Sequence, residues 1–290
     1  MSHKLALGTV QFGLDYGVAG GHRVPEADVR HILAHASAAG VDTLDTAAAY
    51  GDSETVLGHC LTEHPAFRIV TKIPPLTDQD VSACDLRDRL NRSLERLQVA
   101  RVYALMMHRA MDLLGEQGDQ LYRQLVELRD AGFVERIGVS VYGPDDLDAL
   151  LARYPMDIVQ VPFNVLDQRM LQGDLIPRLQ AAGTEIHTRS CFLQGLLLMP
   201  GHRIPAYFAP WHSLLEACRH WVEISGASAQ SAHLHFALQQ PWVDRVVVGV
   251  DNAAQFEALL QAAATPLTLH SATHLASEAL DLINPARWQR

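Results

Sequence analysis

The chain has 290 residues, of which 48% are hydrophobic and 19% charged, a composition that is typical of globular proteins and excludes extended disorder. Its net charge of −10 disfavours nucleic acid and anionic membranes as general partners, because an acidic surface repels phosphate groups. The length accommodates one large domain, and we predict a single domain over residues 1–290.

The chain start and the cysteines indicate a compartment. Residues 1–8 lack a basic start followed by an apolar segment, so we expect no signal peptide. No apolar run approaches the roughly 20 residues that span a bilayer. The four cysteines are scattered without a Cys-x-x-Cys pair, which predicts neither a disulfide framework nor a zinc site: Cys60, Cys84, Cys191 and Cys218. We therefore expect a cytoplasmic protein.

Short apolar segments alternate along the chain with longer segments of helical periodicity. The short segments are rich in β-branched residues, as are strands buried on both faces of a parallel sheet. We predict eight strands at 5–8, 43–45, 69–72, 102–107, 137–140, 158–161, 185–188 and 246–250. We predict helices at 25–39, 53–61, 86–97, 121–131, 145–152, 174–182, 213–222, 229–238, 253–263 and 276–282.

Eight strand and helix pairs in this length predict an α/β fold of the (β/α)8 TIM-barrel type. The spacing is regular except at residues 191–242, which we interpret as a long loop with extra helices between strands seven and eight. A C-terminal helix follows the last pair. A doubly wound open sheet is the alternative, but it normally carries G-x-G-x-x-G after its first strand, and the segment Gly8–Gly13 does not match.

Four polar residues follow or end neighbouring strands, where a barrel of this kind has its active site. Asp45 ends strand two, Tyr50 lies in the next loop, Lys72 ends strand three and His108 ends strand four. Each residue alone is more often structural than catalytic, and their joint placement is what indicates a site. We expect the Lys72 ammonium to lower the pKa of Tyr50, and Asp45 to hold Lys72 charged. His108 can donate a hydrogen bond to a substrate oxygen as it gains negative charge.

These residues lie in segments that resemble the aldo-keto reductase family. The resemblance is carried by Leu-Gly-Thr-Val-Gln-Phe-Gly at 7–13, by Gly-Val-Asp-Thr-Leu-Asp-Thr-Ala-Ala-Ala-Tyr-Gly at 40–51, and by the segments ending at Lys72 and His108. It extends from Lys4 to about residue 260. It implies that Asp45, Tyr50, Lys72 and His108 are the catalytic tetrad of a reductase, with Tyr50 as the proton donor.

The resemblance also implies an NAD(P)(H) cofactor. Ser140 and Gln160 match residues that hold the nicotinamide carboxamide, and the loop after strand eight matches the adenosine site. The full set of implied cofactor residues is Thr9, Asp45, Ser140, Gln160, Arg189, Ser190, Leu193, Gly195, Gly249, Asp251, Asn252 and Gln255.

Three positions depart from the family pattern. Val141 stands where relatives often have Asn, and Arg189 stands where many have an aromatic ring against the nicotinamide. Arg189 could stack, bind an acidic substrate group or form a structural ion pair. The loop at 249–255 lacks a basic residue for a 2′-phosphate, and Asp251 would repel one. The family favours NADP(H) and these residues favour NAD(H); we predict NADP(H), with NAD(H) as the alternative.

We expect the substrate to be a small carbonyl compound: an aldehyde, ketone or aldose. The aromatic residues predicted to line its pocket are Phe12, Tyr16, Phe163, Tyr207, Phe208 and Trp211, and segment 191–211 is the expected lid. Alternatives are an aldose or alcohol dehydrogenase running in the oxidative direction, a nucleotide-sensing regulatory subunit and a Schiff-base aldolase using Lys72. We expect no metal, since the paired histidines lack a third ligand, and a monomer or weak homo-oligomer.

Overall fold

The computed structural model describes residues 4–18, 20–61, 67–76 and 85–288. Residues 1–3 and Cys84, on which part of the expectation about the compartment depends, lie outside these ranges. None of the helices in the described ranges is long and apolar enough to cross a membrane.

Eight parallel strands close into a barrel, which confirms the predicted fold class. Each strand pairs with the next along the chain, and the first pairs with the last, with Gly8 opposite Gly249. The strands are β1 Leu5–Gly8, β2 Thr43–Asp45, β3 Arg68–Ile73, β4 Val102–Met107, β5 Val134–Ser140, β6 Ile158–Pro162, β7 Glu185–Arg189 and β8 Arg245–Gly249. Parallel strands bring all their carboxyl ends to one face of the barrel.

Helices surround the strands. They are α1 Val10–Gly13, α2 Glu26–Ala38, α3 Ser53–Leu61, α4 Leu86–Leu97, α5 Ala110–Leu114, α6 Gly118–Asp130, α7 Pro144–Leu151, α8 Leu175–Ala181, α9 His212–Ile224, α10 Ala229–Leu238, α11 Ala253–Ala264 and α12 Leu280–Ile283. The predictions missed α1 and α5, because helices of four or five residues are too short to show a periodic pattern.

The predicted helix at 276–282 is largely wrong. Only Leu280–Ile283 is helical, because the preceding backbone bonds elsewhere: the Ser277 N–H donates to the Leu166 carbonyl at 2.8 Å. The predicted long segment between β7 and β8 is confirmed. It contains three 3₁₀ turns, Leu193–Leu198, Gly201–Arg203 and Ala206–Trp211, followed by α9 and α10.

A main apolar core lies between the strands and the surrounding helices. A second apolar cluster joins the long β7–β8 segment to the end of the chain, with Phe208, Trp221 and Trp288 among its large side chains. The Trp221 indole N–H donates to the His270 carbonyl at 3.0 Å, so its polar atom is satisfied inside this cluster. This second core attaches the long segment to the carboxyl-end face of the barrel.

Candidate active site

A buried ion pair lies at the carboxyl ends of β2 and β3. The Lys72 ammonium donates to Asp45 Oδ1 at 2.7 Å and to the Thr46 carbonyl at 2.9 Å. Lys72 is fully buried, and Asp45 is 3% exposed. The second carboxylate oxygen of Asp45 accepts a hydrogen bond from Gln160 Nε2 at 2.7 Å. Each charge is therefore paired and hydrogen-bonded, as burial requires.

Tyr50 lies above this pair, in the loop between β2 and α3. Its backbone N–H donates to the Ala47 carbonyl at 3.0 Å, and its carbonyl accepts from the Ser53 N–H at 3.1 Å. Gly13 packs against the loop so closely that a Cβ there would lie 1.8 Å from the Tyr50 carbonyl oxygen. The Lys72 Nζ atom is 5.1 Å from the centroid of the Tyr50 ring. The sequence thus orients Tyr50 by a short turn and a glycine contact.

His108 completes the group. Its backbone N–H donates to the Ile73 carbonyl at 3.0 Å, which fixes it just beyond β4. Its ring meets the Tyr50 ring edge to face, with centroids 5.7 Å apart and planes at 81°. The Nδ1 atom of His108 is buried and has no hydrogen-bond partner among the described residues. The structure therefore brings together all four residues singled out from the sequence.

Burial sets the protonation states of the three titratable partners. Burial, followed by the charge of Asp45, raises the pKa of Tyr50, while Arg189 opposes this shift. Burial and then the Lys72 charge lower the pKa of His108 to about 4, so its imidazole is neutral at pH 7. Burial also lowers the pKa of Lys72, against the effect of Asp45. The expectation that the pKa of Tyr50 is lowered was wrong, because desolvation of the phenolate outweighs the nearby positive charges.

A phenol with a raised pKa stays protonated at neutral pH and can only donate its proton. A neutral imidazole has one N–H to donate. Together they form a site that can give a proton to an oxygen that gains negative charge. These protonation states therefore suit protonation of an alkoxide better than removal of a proton by a Tyr50 that is already ionised.

Ser140, Gln160 and Arg189 lie on three consecutive strands next to this group. Ser140 is the register partner of Gln160, and its hydroxyl donates to Gln160 Oε1 at 3.2 Å. Arg189 ends β7, opposite Pro162 of β6. Its guanidinium donates to the Val141 carbonyl at 2.9 Å and to Ser190 Oγ at 3.2 Å. Among the described residues it forms no ion pair, so the structural ion pair considered for it is absent there.

A cavity of about 1430 Å³ opens over these side chains. Most of the residues singled out for a cofactor line it: Thr9, Asp45, Ser140, Gln160, Arg189, Ser190, Gly195, Gly249, Asp251, Asn252 and Gln255. Leu193 is the exception, because its side chain is buried in the second apolar cluster. Lys72 also does not line the cavity and acts from beneath Tyr50.

The far part of the cavity is built by the loop after β8. Asn252 caps α11 by accepting a hydrogen bond from the Gln255 N–H at 2.9 Å. The Asp251 N–H donates to Gln255 Oε1 at 2.8 Å, whereas Asp251 Oδ1 is buried without a partner among the described residues. Gly21 lies beside this carboxylate, and a Cβ there would be 3.2 Å from Asp251 Oδ1. This end therefore combines a helix N-terminus with an unsatisfied carboxylate.

The predicted aromatic lining was mostly wrong. Phe12 and Phe163 are fully buried in the main core, where Phe163 stacks on Phe236 at 5.2 Å. Phe208 is buried in the second cluster. Tyr207 and Trp211 pack beside that cluster, and only Tyr16 lines the cavity. The expected lid segment does border the cavity, through Cys191, Phe192, Gln194, Gly195, Leu198, Met199, Pro200, Arg203 and Pro205.

Gln11 and Tyr142 are among the lining residues that the sequence analysis did not single out. Gln11 has a buried Oε1 without a hydrogen-bond partner among the described residues, next to Gly249. Tyr142 lies under the Arg189 guanidinium, with the Arg189 Cζ atom 4.8 Å from its ring centroid. Neither carries a sequence signal, although Gln11 falls within the family-like segment 7–13.

The described residues contain no group of three His, Cys, Asp or Glu side chains placed to hold a metal ion. His233, one of the paired histidines, instead lies in the interior, with its Nε2 atom 4.0 Å from Cys218 Sγ.

Comparisons with known sequences agree with this geometry. A sequence model described as "Aldo/keto reductase family" matches residues 4–277. A 6-dehydroglucose reductase of Novosphingobium aromaticivorans is 33% identical over 161 residues, which are 50% of this chain and 51% of that protein. The aldo-keto reductase YhdN of Bacillus subtilis is 25% identical over 47% of this chain and 44% of its own length. The chain thus spans about half the length of the curated relatives it matches.

Solved structures share the fold. The aldo-keto reductase AKR11C1 from Bacillus halodurans, in its holo form, superposes with a TM-score of 0.76 at 20% identity, covering 98% of this chain and 95% of that one. The glycerol dehydrogenase AKR11B4 from Gluconobacter oxydans gives 0.70 at 21% identity, with 91% and 88% covered. At these identities the likeness demonstrates a common barrel and nothing about substrates.

Proposed function

Because the chain belongs to the aldo/keto reductase family, we propose that it is an NAD(P)(H)-dependent oxidoreductase that reduces the carbonyl of a small aldehyde, ketone or aldose. The observation that carries this proposal is the edge-to-face pair of Tyr50 and His108 next to the buried Asp45–Lys72 ion pair, at the wall of one large cavity.

The residues of the cavity fit a dinucleotide. The cavity is lined both by Tyr50 and by Asn252 and Gln255 at the N-terminus of α11, and its volume of about 1430 Å³ exceeds the roughly 300–1,000 Å³ of pockets for drug-sized ligands. Buried polar atoms without partners among the described residues, Gln11 Oε1 and Asp251 Oδ1, lie where such a ligand would supply donors. Ser140 and Gln160 offer a hydroxyl and an amide to a carboxamide. The N-terminus of α11 favours negative charge.

The bound dinucleotide supplies the hydride that reduces the carbonyl carbon. Tyr50 donates its hydroxyl proton to the carbonyl oxygen, so that carbonyl, hydride and proton together give an alcohol. His108, neutral at pH 7, orients that oxygen with its N–H. The Lys72 ammonium beneath the ring stabilises the phenolate that remains, and Asp45 holds Lys72 in place. Burial of the Asp45–Lys72 pair keeps bulk water from competing for the hydrogen bonds between them.

Two nucleotides are candidates. The family resemblance favours NADP(H), and this is our proposal. NAD(H) is the second candidate, since Asp251 Oδ1, which has no partner among the described residues, would accept a hydrogen bond from a ribose hydroxyl, and the carboxylate would repel a 2′-phosphate. Dissociation constants for NADPH and NADH, measured for wild type and Asp251→Ser, separate them. The proposal of NADP(H) would be overturned if wild type had a lower dissociation constant for NADH than for NADPH and if Asp251→Ser moved this preference towards NADPH.

The substrate class follows from the relatives and the chemistry together. A 6-dehydroglucose reductase is among the relatives. A polyhydroxylated carbonyl compound is therefore the first class to test. The dehydrogenase alternative uses the same residues in the opposite direction, and a regulatory subunit would bind the nucleotide without turnover. The single domain, the cytoplasmic location and the monomer or weak homo-oligomer stay predictions.

The aldolase alternative is disfavoured by the surroundings of Lys72. A Schiff-base lysine must be neutral and must reach the substrate. Lys72 is instead paired with Asp45 and does not line the cavity. Borohydride treatment in the presence of aldehydes should therefore leave no adduct on Lys72, and a trapped adduct would favour the aldolase.

The central experiment follows NADPH and NADH at 340 nm with a panel of aldehydes, ketones and aldoses. We expect Tyr50→Phe to lower kcat by about 10²–10⁴-fold while still binding the dinucleotide, because only the transferable proton is removed. Tyr122→Phe is the matched control, since that hydroxyl bonds the Pro155 carbonyl away from the cavity. Binding without turnover on the whole panel would favour the regulatory alternative. Failure to bind either nucleotide would refute the proposal.

A further inference from the structure

Arg189 brings a positive charge into the cavity without a neutralising carboxylate. It is half-buried and lines the cavity with Tyr50 and His108. Its charge influences the pKa of both residues. Arg23, which lines the same cavity, is paired with Asp52 at 2.7 Å, whereas the described residues offer Arg189 no such partner. A positive charge that is left unpaired next to the reacting groups calls for a functional explanation.

The contacts of Arg189 engage its donors along one edge. Its Nη2 and Nη1 atoms donate to the Val141 carbonyl and to Ser190 Oγ. The Cζ atom lies over the Tyr142 ring, 4.8 Å from the ring centroid. Because a guanidinium is planar and Arg189 also lines the cavity, a face that Tyr142 does not cover would be open to a flat ligand. This geometry suits stacking of a flat ring better than a bidentate grip on a carboxylate, which needs the same edge donors.

The neighbouring residues indicate which ring would stack there. Ser140, the last residue of β5, is the register partner of Gln160 in β6, and Arg189 bonds to the carbonyl of Val141, the residue directly after Ser140. A ring whose carboxamide is held by Ser140 and Gln160 would therefore lie beside the guanidinium. This step depends on the proposed function, since it requires a nicotinamide cofactor in the cavity.

We propose that Arg189 is a flat cationic support for the nicotinamide ring and makes the protein bind the reduced dinucleotide more tightly than the oxidised one. The oxidised ring carries a positive charge and the dihydro ring is neutral. Two like charges at stacking distance repel in a partly desolvated site, and the neutral ring still gains the contact. Tighter binding of the reduced form keeps the cavity loaded with the hydride donor and speeds release of the oxidised product, while by linkage it makes hydride transfer from the bound dinucleotide correspondingly less favourable.

Isothermal titration calorimetry tests this without any turnover. Dissociation constants are measured for NADPH and NADP⁺, and for NADH and NAD⁺, with wild type and three variants. Arg189→Tyr keeps a flat face without charge, Arg189→Lys keeps the charge without the plane, and Arg189→Gln serves if the tyrosine variant does not fold. Arg23→Gln removes a neutralised charge from the same cavity as the matched control.

We expect wild type to prefer the reduced form by about tenfold or more, which corresponds to about 1.4 kcal/mol. Arg189→Tyr should remove most of this preference, mainly by tightening the oxidised form, while Arg189→Lys keeps the preference and weakens both forms. Arg23→Gln should leave the preference unchanged. An equal affinity in wild type, or a preference that survives in Arg189→Tyr and Arg189→Gln, overturns the inference alone. Binding of neither form overturns the proposed function and the inference with it.

A different assignment of Arg189 has its own signature. If the preference for the reduced form is unchanged in the variants, but turnover of succinic semialdehyde falls far more than turnover of butanal, Arg189 contacts a substrate carboxylate instead. That result would overturn the stacking role and leave the proposed reductase activity intact.

Discussion

The buried pair of Asp45 and Lys72 permits a quantitative test of how this site is held together. The two side chains are 0–4% exposed, and their charged atoms are 2.7 Å apart. Removing one partner leaves the other charge buried without compensation, which typically costs about 3–5 kcal/mol. We therefore expect Asp45→Asn and Lys72→Met each to lower the free energy of unfolding by about that amount. Gln160 loses its carboxylate acceptor in the first variant, which adds to the cost.

The double variant should be much less destabilised than the sum of the two single variants. A neutral pair leaves no uncompensated charge, so we expect a coupling free energy of at least about 2 kcal/mol. Urea unfolding monitored by tryptophan fluorescence measures all four proteins. The matched control is the exposed pair of Arg178 and Asp148, at 2.5 Å, for which Arg178→Met and Asp148→Asn should show no measurable coupling. Additive effects of the Asp45 and Lys72 substitutions would refute the assignment of a strongly coupled buried pair.

Two further predictions concern the Tyr50 loop and acid stability. Gly13→Ala should lower kcat by more than about tenfold, because its Cβ would displace the Tyr50 carbonyl. Gly132→Ala is the control, since its Cβ meets open space and should cost only about 1 kcal/mol of stability. Steady-state kinetics and urea midpoints measure both variants, and an unchanged kcat in Gly13→Ala would refute the prediction. Burial lowers the pKa of His233 from 6.5 to about 4. Between pH 6.5 and pH 4 the unfolded chain therefore binds more protons than the folded chain, so the free energy of unfolding falls as the pH drops through this range. His233→Gln should lose less stability than wild type between pH 7 and about pH 5. If the urea midpoints of the variant and of wild type fall equally over this pH range, His233 is not the origin of the acid sensitivity.

Part of the fold and of the candidate site could be predicted because local patterns carry them. Buried parallel strands are short apolar segments, and their spacing by helices indicated the barrel before any contact was known. Asp45, Lys72 and His108 end or follow such strands, so a common face of the barrel had to bring them together. Short helices and the end of the chain escaped prediction, since their conformation is set by remote partners such as the Leu166 carbonyl.

The aromatic residues illustrate what a pattern cannot resolve. Phe12, Phe163 and Tyr16 all follow predicted strands near the barrel mouth, and the sequence does not distinguish them. In the structure the two phenylalanines are fully buried, and of the three only Tyr16 lines the cavity. Whether an aromatic side chain faces a core or a pocket depends on which segments pack over it. In this protein the long β7–β8 segment forms a second core with the chain end, and that core buries Phe208.

The sequence by itself determined the order of the strands and of the longer helices, and it singled out four polar side chains at neighbouring strand ends, because both are encoded in local spacing. The tertiary structure decided the charge states of those side chains. Tyr50 has a raised pKa and His108 a lowered one because the folded chain removes water from them, a desolvation that no local pattern records. It also decided the surroundings of Arg189, because its contacts with Val141, Ser190 and Tyr142 require these residues to meet at one point in space.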